Sequence, residues 1–169
     1  MVILGIDASY TKTGIGIAKN GELRKIKSIK FKGLNKKYEK RAKLKERLQY
    51  YINRYKPDKI IIERTRQFSQ GQNPFIAMPM IKAGISILTI VVDIAYENGI
   101  SVYSVDTRSW KSQVVGTSKP KNGNKKLPTI EFVESLGFEV NEDDDAADAG
   151  CIALYGFIPE EKQKLKLEE

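Results

Sequence analysis

Asp7 closes the apolar run Val2-Ile3-Leu4-Gly5-Ile6, Glu63 closes Ile60-Ile61-Ile62, and Asp145 and Asp148 open an apolar helical stretch. A short continuous apolar run reads as a strand covered on both faces, and sites in α/β sheets form just beyond the carboxyl ends of such strands. Where Asp7 and Glu63 end neighbouring strands, they converge. Asp145 and Asp148 are three apart and so share one face of a helix, and that pair would complete a cluster of hard oxygen ligands for Mg²⁺ or Mn²⁺. The chemistry such a cluster does is metal-dependent phosphoryl transfer. The plain alternative is capping, since Asp143-Asp144-Asp145 is also what a helix N-terminus favours. Capping accounts for Asp143; it does not account for acids that end buried strands.

The elements that must position these acids can be read from periodicity. After the first strand come Thr13-Gly14-Ile15-Gly16-Ile17-Ala18, then Asn20-Gly21, a two-residue hairpin signal, then a strand near Ile29 and Phe31, which alternate with Lys30 and Lys32. That is a three-stranded antiparallel meander. Leu44, Leu48, Tyr51 and Tyr55 recur on one face of a helix from Tyr38 to Tyr55, which Pro57-Asp58 ends before the Glu63 strand. A long apolar helix is expected from Phe75 to Asn98, with Pro79 tolerated near its start and Gly99 stopping it. A short strand from Ser101 to Val105, a short helix from Thr107 to Val115, a helix from Pro128 to Leu136 and a terminal helix starting in the acidic run complete the order. The expected fold class is α/β, with a central five-stranded mixed sheet flanked by helices. Strands 1–3 form the antiparallel meander and strands 4 and 5 are parallel. Residues 1–159 read as one domain and 160–169 as a charged, disordered tail.

Composition narrows the chemistry. With 29 Lys and Arg against 21 Asp and Glu the formal charge is +8. A basic protein with a local acidic pocket suits a polyanion held by its backbone and cut at a metal. Histidine is absent, which removes Ser-His-Asp and Cys-His catalysis and His-ligated zinc. The single cysteine, Cys151, lies in an apolar helical stretch and reads as a small core residue in a reducing cytosol. The apolar helix is interrupted by Asp93 and preceded by Lys82, so it reads as a buried or interface helix, and no membrane association is expected.

Two basic regions stand out. From Thr107 to Ile130 there is no acid but six bases, Arg108, Lys111, Lys119, Lys121, Lys125 and Lys126, which suits a phosphate-lined groove. Between Lys19 and Arg47 there are thirteen Lys and Arg against three acids, mostly solvated surface that adds non-specific affinity. Phe68, after Arg64 and Arg66 in a polar stretch, could stack on unpaired bases or pack under its own turn. Trp110, with helical neighbours, reads as core.

This order of elements resembles the RNase H-like superfamily, and within it the RuvC family of Holliday-junction resolvases, as a phage-type or divergent member. The resemblance rests on Leu4-Gly5-Ile6-Asp7 with Thr13-Gly14, Ile62-Glu63-Arg64, Arg108-Ser109-Trp110-Lys111 with Val114-Val115-Gly116, and Asp145-Ala146-Ala147-Asp148-Ala149. It implies an RNase H-like fold and two divalent metals, Mg²⁺ with Mn²⁺ as substitute, held by Asp7, Glu63, Asp145 and Asp148, with Lys111 as the catalytic basic residue that offsets charge on the phosphate. Asp145 falls where some members carry histidine, and the adjacent Asp144 could take its place. The segment after the glutamate enters the junction centre in this family, and here either Arg66 or Phe68 falls there. The resemblance further implies four-way DNA junctions as substrate, other branched DNA included, paired nicks leaving 5′-phosphate and 3′-hydroxyl, and a homodimer through the helix 75–98. Such an enzyme works in the cytoplasm, or the host cytoplasm if phage-encoded. Two alternatives stay open: an RNase H-like nuclease for RNA–DNA hybrids or other branched DNA, and an actin or sugar-kinase type ATP-binding domain, suggested by Asp7 to Gly16.

Overall fold

The structure, a computed structural model, describes residues 1–9, 11–34, 36–64, 73–124, 126–141 and 143–168, without the side chains of Pro74, Ile76 and Met80. Strands β1 (Val2–Ala8), β2 (Lys12–Lys19) and β3 (Glu22–Lys30) form the antiparallel meander. The β2–β3 turn places Asn20 and Gly21 at φ 53° and 83°, both positive, as a hairpin turn of this type demands. Helix α1 (Lys37–Tyr55) leads to β4 (Lys59–Glu63), helix α2 (Pro74–Glu97) to β5 (Ser101–Val105). β4 runs parallel to β1 and β5 parallel to β4. A short helix α3 (Thr107–Trp110) continues directly into a π-helical turn, Lys111–Val115, followed by α4 (Leu127–Ser135) and α5 (Asp144–Tyr155).

The sheet has six strands in the order β3-β2-β1-β4-β5-β6, one more than the five expected. The sixth, β6 (Lys166–Glu168), lies in the segment expected to be a disordered tail and pairs antiparallel with β5. Charge alone misleads there. Glu168 accepts a hydrogen bond from the Ser104 hydroxyl at 2.5 Å, and the Lys164 amide donates to the Tyr155 hydroxyl at 2.7 Å. Backbone pairing along an open sheet edge therefore holds a segment that has little apolar surface to bury.

Alternation along β1 and β4 sends side chains to two cores. Leu4, Ile6, Ile60 and Ile62 pack with α1 and α2, including Leu44, Leu48, Val91 and Ile94. Ile3 and Ile61 pack on the other face with Trp110, Ala147, Cys151 and Tyr155. By the same period-two rule Asp7 and Glu63 share the second face, the one α5 covers. Ala77–Glu97 is long and apolar enough to cross a membrane by length and composition, and its Ile87, Ile90, Val91, Ile94 and Ala95 are buried in the first core. Cys151 is fully buried, as expected.

Candidate metal centre

Parallel pairing sets Ile6 of β1 beside Ile62 of β4, so Asp7 and Glu63 come one step later on adjacent strands. Glu63 is held from the next connection. Asp106 caps α3 by accepting from the Ser109 amide at 3.0 Å, and the turn it stabilises carries three residues into the site. Thr107 donates to Glu63 Oε1 at 2.7 Å, and the indole of the wholly buried Trp110 donates to Oε2 at 2.9 Å. Lys111 Nζ lies 3.6 Å from Asp148 Oδ2 and 5.0 Å from the Trp110 ring centre. Trp110 is core, as expected, and it also orients an acid.

Helix α5 delivers the other two acids because the sheet beneath it has no side chains in the way. A Cβ on Gly14 would fall inside the Asp145 carbonyl, and one on Gly5 or Gly16 inside the Ala149 carbonyl. Glycine at these positions lets the helix backbone lie on the strands. Its first turn then faces Asp7, and Asp145 and Asp148 look onto β1 together.

The electrostatics follow from this crowding. Burial, then the charges of Glu63, Asp148 and Asp145, push the Asp7 carboxyl well above its ordinary range. Burial lifts Asp148 to about 6 against the opposing pull of Lys111, with Glu63 adding to the rise. Asp145 is also raised, by burial first, although Lys12 opposes it. Asp143 and Asp144 behave differently: burial works upward on both, but hydrogen bonds from Ser28 and Lys12 hold Asp143 below the usual carboxylate range, and those from Lys126 and Lys12 do the same for Asp144. Asp145 Oδ2 and Asp148 Oδ1 are buried without a hydrogen-bond partner, the former 3.0 Å from Lys12 Nζ but outside hydrogen-bond geometry. A buried carboxylate oxygen without a hydrogen-bond donor is costly unless a cation meets it; Lys12 does so for Asp145 Oδ2, and Asp148 Oδ1 is the oxygen a bound cation would satisfy. Hard oxygen donors on a dense negative cluster suit Mg²⁺ or Mn²⁺. Among the described residues no three acidic side chains form a ready-made ion cage; their carboxylates are electrostatic neighbours, with lysines paired to two of them.

Asp143 is the residue before α5, as capping would require, but its side chain makes no capping bond. Its Oδ1 accepts instead from Ser28 Oγ at 2.7 Å and Lys12 Nζ at 3.0 Å. Lys12 was not legible as a site residue: it is one base among many until β2 is laid beside α5. Of the bases expected to meet phosphate, Arg108 and Lys119 are exposed and Lys121 pairs with Glu131 at 2.8 Å. Lys126 reaches the cluster, 2.5 Å from Asp144 Oδ2. Lys125, Arg66 and Phe68 lie outside the described residues.

The family profile described as crossover junction endodeoxyribonuclease RuvC matches residues 3–155, nearly the whole chain. The chain belongs to the RuvC family. A RuvC of Francisella philomiragia is 31% identical over 159 residues, covering 91% of this chain and 86% of that one. The fold is that of RuvC from T. thermophilus in complex with Holliday junction substrate, with a TM-score of 0.74 at 23% identity over 99% of each chain. A fowlpox virus resolvase in complex with Holliday junction DNA is more distant, with a TM-score of 0.55 at 14% identity, covering 94% of this chain and all of that one. RuvC membership sets aside the nucleotide-binding alternative and makes this chain an endodeoxyribonuclease of the metal-dependent kind.

Proposed function

We propose that this protein resolves four-way DNA junctions by paired, symmetric nicks that leave 5′-phosphate and 3′-hydroxyl ends, and that it also meets other branched DNA. The observation that carries the reading is the placement of Asp7, Glu63, Asp145 and Asp148 on one face of the sheet under α5, where Asp148 Oδ1 is buried without a hydrogen-bond donor. Two Mg²⁺ ions, or Mn²⁺ in their place, would be held there: Asp7, flanked by the other three acids, would serve both, and Glu63 and the Asp145/Asp148 pair one each. Bound metal supplies an acidified water and a clamp on the scissile phosphate for in-line displacement.

The chain's own residues do the rest. Thr107 and Trp110 fix the Glu63 carboxylate from two sides, so its orientation does not depend on the metal. Lys111, partly buried beside Asp148, offsets negative charge on the phosphate as it builds in the transition state. Arg108, Lys119, Lys121, Lys125 and Lys126 contact backbone phosphates, and Arg66 or Phe68 enters the opened crossover. A second copy joins through α2, which exposes Phe75, Met78, Ile85 and Tyr96, so that two sites face two strands. The protein acts in the cytoplasm, that of the host if phage-encoded.

The test is cleavage of labelled four-way junctions, linear duplex and RNA–DNA hybrid side by side in Mg²⁺. Paired nicks in the junction with duplex and hybrid intact are expected. Faster cleavage of the hybrid would overturn the substrate assignment.

A further inference from the structure

Lys12 projects from β2 into the acidic start of α5. Its Nζ lies 3.0 Å from Asp143 Oδ1, 3.2 Å from Asp144 Oδ1 and 3.0 Å from Asp145 Oδ2, and its side chain is only 26% exposed. Ser28 on β3 ties Asp143 at 2.7 Å, and Lys126 ties the far oxygen of Asp144 at 2.5 Å. The acidic start of α5 is thus pinned to the meander by Lys12, with Ser28 as a second tie at Asp143. Asp145 also neighbours Asp7 and so links the Lys12 ammonium to the other proposed metal ligands.

We propose that Lys12 is a positioning residue that serves as an internal cation for the first turn of α5, holding Asp145 toward Asp7 and setting how tightly the site takes a divalent ion. The proposal rests on the metal reading of Asp7, Glu63, Asp145 and Asp148. Two effects oppose each other when Lys12 is removed. Asp145 loses an anchor, which loosens the site; a full positive charge beside a ligand oxygen also disappears, which favours an incoming dication. The charge effect dominates affinity because a dication and an ammonium that share one carboxylate are close and poorly screened in a partly buried pocket. The lost anchor shows in turnover, since a misplaced ligand misplaces the attacking water.

The experiment compares wild type with Lys12→Met and Lys12→Arg. Mn²⁺ binding is followed by calorimetry, melting with and without Mg²⁺ by scanning fluorimetry, and junction cleavage at saturating metal. In Lys12→Met, Mn²⁺ should bind about tenfold tighter, which is about 1.4 kcal/mol, while kcat falls about tenfold. The melting temperature should fall in the absence of metal and recover most of that loss in saturating Mg²⁺, where the ion replaces the missing cation. Lys12→Arg keeps the charge and should restore all three. A melting deficit in Lys12→Met of equal size with and without Mg²⁺, with Mn²⁺ affinity as in wild type, would reduce Lys12 to a structural ion pair and overturn the proposal. Failure of the underlying reading looks different: wild type itself would bind no Mn²⁺, or Asp7→Asn would bind it as well as wild type.

Discussion

The indole nitrogen of Trp110 sits 2.9 Å from Glu63 Oε2, so a wholly buried aromatic side chain orients an acid at the end of the neighbouring strand. Trp110→Phe retains most of the packing and removes the donor. The unmet carboxylate oxygen should cost about 1–3 kcal/mol of stability, and loss of a partner that orients a metal ligand should lower cleavage about 10–100-fold. Denaturant melts and single-turnover junction cleavage check this; unchanged cleavage in a stably folded variant would show that Thr107 alone suffices to hold Glu63.

Gly14 is one of three glycines on which α5 rests, the one under Asp145, and its missing side chain is as necessary as any acid. Gly14→Ala places a methyl group inside the Asp145 carbonyl, so the helix must lift. The expected loss is above the 1–3 kcal/mol or so of ordinary overpacking, because backbone rather than a flexible side chain must move. Chemical denaturation measures it. Stability within about 0.5 kcal/mol of wild type, the range of neutral surface changes, would contradict the close approach of α5 to β2.

Much of this was legible in the sequence, and the reasons are local. The runs ending in Asp7 and Glu63, the Asn20-Gly21 turn and the three-residue spacing of Asp145 and Asp148 each carry their meaning within a few residues. What was not legible depends on which strand lies beside which helix. Lys12 meets Asp145 only after β2 and α5 are stacked, far apart in the chain, and Trp110 becomes a hydrogen-bond donor to Glu63 only once β4 and β5 are parallel neighbours. The sixth strand was hidden for another reason: residues 166–168 are held by backbone pairing and by Ser104, and hydropathy does not register either.

Burial raises the carboxyls of Asp7 and Asp148 in the folded protein, Asp148 to about 6. A raised acid binds its proton more tightly folded than unfolded, so this stability is fully present below the ordinary carboxylate range and is lost as pH rises toward and through the folded value. Without metal, the melting temperature should therefore fall between pH 5 and pH 7 or so in the window these two groups set. Asp143, held low by Ser28 and Lys12, and Asp144, held low by Lys126 and Lys12, act only at more acidic pH and in the opposite sense. Asp148→Asn should flatten the fall, and saturating Mg²⁺ should abolish it. A melting temperature that rises over this window in the absence of metal would contradict the raised values.

Along α2, Phe75, Met78, Lys82, Ile85, Thr89, Asp93 and Tyr96 are exposed at steps of three and four, a single face. In the proposed dimer, an antiparallel two-fold pairing of this face centred between residues 87 and 88 would set Lys82 against Asp93 of the partner subunit in both halves of the interface. Wild type should be a dimer by light scattering at micromolar concentration, and Ile85→Glu a monomer. Lys82→Asp should weaken association, and adding Asp93→Lys should restore it; a wild-type monomer that still resolves junctions would refute the assembly.

The proposed cleavage depends on the acids acting through a divalent ion. The decisive measurement is strand cleavage of a labelled four-way junction at saturating enzyme, by wild type in Mg²⁺ and in EDTA, and by Asp7→Asn in Mg²⁺. Asp7 is the acid flanked by all three others, so its loss should abolish cutting in Mg²⁺ while junction binding persists, and EDTA should do the same to wild type. Robust cleavage in EDTA, or by Asp7→Asn in Mg²⁺, would contradict it.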